Sequence, residues 1–280
     1  MDEQSTDWRQ QFAEEARSER PDLALLCLLV GTEADPSLGQ DGIDAAQIEL
    51  DRLAGTLPYG VTGARAWASA LGELLGARAG FRGSDADYQR LESSLLHEVL
   101  RRGRGLPILL SVVWTEVARR AGAPVYGVAL PGHFVVGFGD PSGPPGEQVL
   151  ADPFAGGRLL TGEDASTLVS GATGAPFDPA MLAPADPLEV VLRILNNIRA
   201  WAAARPERTD VQLWAVELSL LLPAHPARLR YEHAQLLVER GDFVRGAVEM
   251  EEYAEVVAAV DQGAADEIRG RARSARAMLN

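Results

Sequence analysis

The stretch from residue 105 to 152 constrains the fold most, because signals for a helix, a strand and a hairpin follow one another within it. Pro107 predicts a helix start, since proline is preorganised for the first helical position and has no amide hydrogen to lose. Gly122 and Pro124 predict the end of that helix. Its apolar positions nearly surround the first two turns and predict burial. They are Ile108, Leu109, Val112, Val113 and Val117.

A short central strand and a hairpin are predicted after this helix. Residues 125–130 form an apolar run, and the runs 133–138 and 148–152 flank a turn segment rich in Gly, Pro, Asp and Ser. Symmetric pairing about residues 142 and 143 would place His133 directly opposite Asp152, on the same sheet face. A histidine that donates one ring N–H to a carboxylate has its tautomer fixed, as a general base requires.

Several motifs carry a resemblance to a known family. They are Gly122-Ala123-Pro124, Pro131-Gly132-His133-Phe134, Asp152-Pro153 and the run of Arg101-Arg102, Gly105-Leu106-Pro107-Ile108 and Leu110-Ser111-Val112. Together they resemble the transglutaminase-like, papain-type core, and more closely its bacterial SirB branch, over about residues 85–165. The resemblance implies an α+β fold in which a core helix packs on an antiparallel sheet.

The resemblance also implies a catalytic site whose nucleophile is a cysteine at the start of the core helix. There the helix dipole lowers a thiol pKa. The family's spacing, counted back from Gly122-Ala123-Pro124, puts that position at about Pro107, which has no nucleophilic atom. His133 and Asp152 carry over from the family pattern, and Ser111 is the one hydroxyl between Gly105 and Val113.

Two functions follow as hypotheses. The first is a protein-binding or regulatory module that has lost its nucleophile. The second is a hydrolase or acyl transferase in which Ser111 is the nucleophile, His133 the base and Asp152 the group that orients the base. A third interpretation gives the pair a structural role only. His133 and Asp152 would then stabilise the hairpin through a hydrogen bond worth ~1–3 kcal/mol.

The domain organisation is predicted from turn and linker composition. An α+β domain spans 1–172, with a helical part at 1–84 and the core at 85–172. Residues 173–187 have linker composition, rich in Gly and Pro. Residues 188–280 are expected to be entirely helical.

The individual elements follow from apolar periodicity and from start and stop signals. Helices are predicted at 6–18, 22–30, 41–53, 63–78, 87–102, 188–204, 209–222, 227–240, 242–260 and 264–279. Residues 158–160 predict an edge strand, and Thr161-x-x-Asp164 predicts a capped helix. Arg205-Pro206 and Arg240-Gly241 interrupt helix pairs 35 residues apart, so the last region resembles tetratricopeptide repeats.

Charge and composition limit the partners. The net charge of −14 argues against nonspecific nucleic-acid binding and favours a basic protein segment as partner, in contact with the acidic C-terminal helices or the groove beside them. All 26 basic residues are arginine. No signal peptide is visible in residues 1–20 and no apolar run has membrane-spanning length, so a cytoplasmic protein without a membrane partner is expected.

Cofactor and metal sites are not expected. Cys27, the single cysteine, is predicted to be a core thiol, which fits a reducing compartment. His97, His225 and His233 lack neighbours at metal-ligand spacing and are interpreted as structural. The oligomeric state stays open.

Overall fold

The computed structural model describes residues 3–144 and 147–278. It divides into two compact units. One consists of Met1–Gln11 and Ser18–Ile194, and the other of Phe12–Arg17 and Leu195–Asn280. The domain bounds expected from composition, 1–172, 173–187 and 188–280, stay a prediction about which parts fold independently.

The first unit has an α+β fold, as the sequence predicted. Its helices, all or in part, are α1 Glu3–Glu15, α2 Leu23–Ala34, α3 Gly39–Gly55, α4 Ala64–Leu71, α5 Leu96–Arg102, α6 Pro107–Arg120, α7 Gly162–Thr173 and α8 Pro187–Ala203. The antiparallel sheet has the order β1-β2-β3-β4, with β1 Val125–Val128, β2 Val135–Phe138, β3 Val149–Asp152 and β4 Arg158–Leu160. The predicted cap of α7 is confirmed, because Thr161 and Asp164 exchange side-chain hydrogen bonds with each other's backbone.

The core helix α6 begins and ends where its proline and glycine signals predicted. Leu106 is extended, with φ −70° and ψ 157°, and Pro107 takes the first helical position. Val113, Trp114 and Val117 have no solvent-exposed surface, so the helix is buried around much of its circumference. The sheet and the N-terminal helices therefore pack around α6, which is the centre of this unit.

The predicted hairpin register is wrong by two residues. Strand β2 begins at Val135, and Val136 faces Ala151, so His133 precedes the strand and does not stand directly opposite Asp152. The loop that joins β2 and β3 sets the register, and the strand pairs are centred between residues 143 and 144, one position later than predicted. The Pro131-Gly132 turn sets where β2 begins, since Gly132 has φ +73° and the His133 N–H donates to the Leu130 carbonyl at 3.2 Å. Side chains alternate with a period of two, so an error of two residues keeps the same face.

The single helix predicted over 87–102 is also wrong. Two 3₁₀ turns, Asp85–Gln89 and Leu91–Ser94, precede the short helix α5. The Asp87 carboxylate accepts the backbone N–H of Ser84 at 2.8 Å and the Ser93 hydroxyl at 3.3 Å. Such local side-chain hydrogen bonds compete with a continuous helical ladder.

The second unit is all-α over the residues that the structure describes. After the C-terminal part of α8 come α9 Thr209–Leu221, α10 Arg228–Glu239, α11 Phe243–Ala258 and α12 Gln262–Ala277. Each lies within two residues of its predicted start and end, and Leu279, the last residue of the predicted final helix, lies outside the described residues.

His233 is a buried packing residue of this unit. Its Nδ1 lies 2.5 Å from a Glu249 carboxylate oxygen, and its Nε2 lies 3.6 Å from Glu217. The two glutamates belong to α11 and α9 and are 16 residues away from His233 along the chain, so linear spacing gave no sign of this cluster. His225 contacts the Leu222 carbonyl through Nδ1 at 2.9 Å, which is also a structural contact.

Candidate functional site

The hydrogen bond predicted between His133 and Asp152 is confirmed. The His133 Nε2 lies 3.0 Å from the Asp152 Oδ1, and Asp152 is only 4% exposed at the end of β3. The same carboxylate oxygen accepts the Phe154 backbone N–H at 3.0 Å. The carboxylate is therefore fixed from two sides and fixes in turn the orientation of the imidazole.

The loop after Asp152 is held by close backbone packing. Phe154 meets the His133 ring edge-on, with centroids 6.0 Å apart and planes at 88°. A Cβ on Gly83 would lie 1.9 Å from the Phe154 ring, and one on Gly76 would lie 1.9 Å from the Gly156 carbonyl oxygen. Any side chain at these two glycines would displace the loop that orients Asp152.

The turn that carries His133 is held by Arg193 of α8. One terminal nitrogen, Nη2, donates to the Leu130 carbonyl at 2.8 Å and to the His133 carbonyl at 2.9 Å. The guanidinium carbon lies 5.7 Å from the centre of the Phe134 ring. Sequence reasoning missed Arg193, because it lies 60 residues from His133 in a region assigned to the helical domain.

Ser111 does not join the pair. It has no exposed surface, and its hydroxyl donates to the Phe134 carbonyl at 3.2 Å. No hydrogen bond links Ser111 to His133 within the part of the chain that the structure describes. The structure thus brings two of the three proposed triad residues together and directs the third elsewhere.

The start of α6, where the sequence resemblance predicts a nucleophile position, is also enclosed. Pro107, Ile108 and Leu109 are buried in the first turn of α6. The Leu106 N–H, just before the helix, donates to the Ser93 carbonyl at 2.9 Å. This end of the helix offers no thiol, hydroxyl or amine among those residues.

Tyr88 completes the surroundings of His133. Its ring packs edge-on against Phe154 at 6.1 Å, and the residue is 47% exposed. Burial and the Asp85 carboxylate raise the pKa of the Tyr88 phenol, and Arg193 partly opposes them. The phenol is therefore a neutral hydrogen-bond donor at neutral pH.

Cys27 is a core thiol, as predicted. It is 2% exposed in α2, and burial, followed by the Glu116 and Asp22 carboxylates, raises its pKa well above the ordinary value. A thiol in such surroundings stays protonated and is a poor nucleophile.

Neither a metal cluster nor a membrane-spanning helix is found in the described part of the chain. Over residues 3–144 and 147–278, no three His, Cys, Asp or Glu side chains come together in a way that could hold a metal ion. None of the helices described in these ranges is both long and apolar enough to cross a bilayer.

Comparison with known proteins yields a family match that covers the residues of the site. The sequence model of the transglutaminase-like superfamily matches residues 44–196, which is more than half of the chain. Pro107, Ser111, His133, Asp152 and Arg193 all lie within the matched range.

Individual relatives match stretches of similar length. A UPF0162 protein of Xylella fastidiosa (strain Temecula1 / ATCC 700964) is 34% identical over 168 residues, covering 58% of this chain and 58% of that protein. F-box only protein 21 of Homo sapiens is 25% identical over 156 residues, covering 54% of this chain and 24% of that protein. The chain thus spans less than two thirds of the length of these curated relatives.

Proposed function

The chain belongs to the transglutaminase-like superfamily, and from this membership we propose that it is a protein-binding or regulatory module that keeps the family's His–Asp pair and has lost its nucleophile. His133 and Asp152 are the retained pair. The cleft beside them would serve recognition rather than bond cleavage. Fold membership alone does not establish activity, so the proposal depends on the site.

One inference carries this proposal: counted along the family's spacing, the nucleophile position falls at about Pro107, which has no nucleophilic atom. The nearest hydroxyl, Ser111, would need a base within hydrogen-bond reach, because a neutral serine is a weak nucleophile. Its proton instead points to the Phe134 carbonyl. The geometry therefore supports binding over acyl transfer.

The finer family assignment is also a proposal. We assign the chain to the SirB-type branch, because the run from Arg101 to Val112 has that branch's pattern. We regard the C-terminal helices as tetratricopeptide-like. In support, a Cβ on Gly246 would lie 2.7 Å from the Ala234 carbonyl oxygen, so α10 and α11 approach closely at a small residue.

The proposed partner is a basic protein segment. Residues 1–51 contain 13 acidic and 3 basic residues, whereas residues 195–280 contain 13 acidic and 11 basic residues. The acid excess thus lies more in the N-terminal helices than in the C-terminal ones that the sequence pattern first suggested. Because Cys27 is a buried free thiol, we also propose a reducing, cytoplasmic location.

Salt dependence tests the partner. An arginine-rich peptide of about twelve residues should bind more weakly at about 500 mM than at about 50 mM NaCl, since salt screens exposed charges. Asp41→Asn with Asp44→Asn in α3 should weaken binding further, and Asp266→Asn in α12 serves as control. Equal binding at both salt concentrations would count against a basic partner.

Turnover assays test the absence of catalysis. Amine incorporation into a glutamine-containing protein substrate and hydrolysis of a simple ester should proceed at the rate of the His133→Gln variant. A wild-type rate that exceeds that of His133→Gln tenfold or more in either assay would overturn the proposed function.

A further inference from the structure

Arg193 is a half-buried cation without a carboxylate partner among the described residues. It makes none of the salt bridges found in residues 3–144 and 147–278. Burial lowers the pKa of Arg193, and the nearby Tyr88 hydroxyl partly opposes this. Removing a cation from water costs free energy unless an anion or hydrogen bonds compensate.

Part of its guanidinium remains available for a ligand. Both backbone acceptors, the Leu130 and His133 carbonyls, are bonded to Nη2. Within the part of the chain that the structure describes, Nε and Nη1 donate no hydrogen bond, and neither is a fully buried atom. Arginine has five N–H donors, so three of them stay free to meet an acceptor.

One further group beside Arg193, the Tyr88 hydroxyl, can donate to the same acceptor. His133 directs Nε2 to Asp152 at 3.0 Å, so its ring borders the site and Nδ1 would donate only in a protonated ring. Tyr88 is half-exposed, and its pKa is raised by burial and by Asp152 and partly lowered by Arg193, so the charges of both Arg193 and Asp152 lie near it. The rings of Tyr88 and His133 both pack edge-on against Phe154, so they border the same small surface.

We propose that Arg193 and Tyr88 form a binding site, bordered by the His133 ring, for a carboxylate of a peptide or protein ligand. This inference rests on the proposed function and deepens it, because it names the group that the retained cleft would recognise. Hydrogen bonds from a cationic donor to a carboxylate are about twice as strong as neutral ones. A singly charged carboxylate suits the site better than a doubly charged phosphate, because Asp152 and Asp85 lie nearby and repel negative charge.

The carboxylate could be a chain terminus or an acidic side chain, and three probes distinguish these sources. They are acetyl-Ala-Ala-Gly with a free carboxylate, the same peptide as its amide, and acetyl-Ala-Glu-Gly as its amide. Each is titrated into the 280-residue protein while the Arg193 Nε–H and the His133 ring are followed by NMR. Saturable shifts with the first or the third probe, and none with the neutral amide, are expected.

Variants separate ligand binding from the support that Arg193 gives to the His133 turn. Arg193→Gln should weaken binding at least tenfold and Arg193→Lys less, while Tyr88→Phe, which leaves the turn untouched, should weaken it about threefold. Arg65→Gln removes one exposed positive charge elsewhere and should leave binding unchanged. Equal shifts with the neutral amide, no saturation with any probe, or unchanged binding in both Arg193→Gln and Tyr88→Phe would overturn the site.

This outcome is independent of the test for catalysis. The titration can fail while the protein stays inactive toward esters and amines, in which case the carboxylate site alone is wrong. Turnover in the assays would instead refute the proposed function, whatever the titration shows.

Discussion

His133 and Asp152 are joined by a 3.0 Å hydrogen bond although His133 precedes strand β2 and stands two residues away from the position opposite Asp152. The turn before β2, held by Arg193, aims the ring diagonally across the strand pair. Diagonal neighbours on one sheet face lie within reach of long side chains. The pair therefore depends on the turn as much as on the strand register.

Removing the histidine should destabilise the hairpin. His133→Ala leaves the Asp152 carboxylate, which is 4% exposed, with the Phe154 N–H as its remaining hydrogen-bond donor among the described residues. We expect a loss of about 1–3 kcal/mol in the free energy of unfolding, measured by urea denaturation. Ser111→Ala removes one neutral buried hydrogen bond and should cost about 0.5–1.5 kcal/mol. A His133→Ala protein as stable as the wild type would show that the pair contributes nothing to the fold.

The loop that orients Asp152 should be sensitive to one methyl group. Gly83→Ala would place a Cβ 1.9 Å from the Phe154 ring, so the ring must move away from His133. We expect about 1–3 kcal/mol of destabilisation and a changed His133 ring resonance in NMR spectra. Gly171→Ala, in α7 with nothing within 4 Å, is the matched control and should be neutral or stabilising. Identical behaviour of the two variants would contradict this packing.

Replacing His233 should remove a pH-dependent contribution to the stability of the second unit. Burial lowers the pKa of His233, but the nearby Glu217 and Glu249 carboxylates outweigh burial and raise it above its ordinary value of 6.5. A histidine whose pKa is raised in the folded state stabilises that state fully at a pH below its pKa in the unfolded chain. This stabilisation is lost as the pH rises through the pKa of the folded state. The stability difference between wild type and His233→Gln should therefore be larger at pH 6 than at pH 9, as determined by urea denaturation. A stability difference between the two proteins that increases with pH would contradict a raised His233 pKa.

Cys27 should react with alkylating reagents only in the unfolded protein. It is 2% exposed and its pKa is raised, so both access and thiolate formation are suppressed. Iodoacetamide at pH 8 should leave the native protein unmodified and label it once in urea, as measured by intact mass. Rapid labelling of the native protein would mean that α2 opens readily or that the thiol is not in the core.

Local sequence signals predicted most of the fold and, within the site, the His133–Asp152 pair but not Arg193. The ends of α6 were predicted from Pro107, Gly122 and Pro124, and the C-terminal helices from apolar periodicity, because these signals act within a few residues. The hairpin register was missed because the loop between β2 and β3 centres the pairing one position later than its composition indicated. Arg193 and the glutamates around His233 were missed because their contacts join residues far apart in sequence, and only the packed fold brings them together.

The central claim, that the nucleophile is absent, is tested most directly by activity-based labelling. The purified wild-type protein, Ser111→Ala and His133→Ala are treated with a fluorophosphonate and an ester probe, and adducts are located by intact mass and peptide mapping. We predict no adduct in any of the three proteins, because Pro107 offers no nucleophilic atom and the Ser111 hydroxyl donates to the Phe134 carbonyl. Labelling of the wild type at Ser111 that disappears in both variants would contradict the account and establish a Ser111–His133–Asp152 triad.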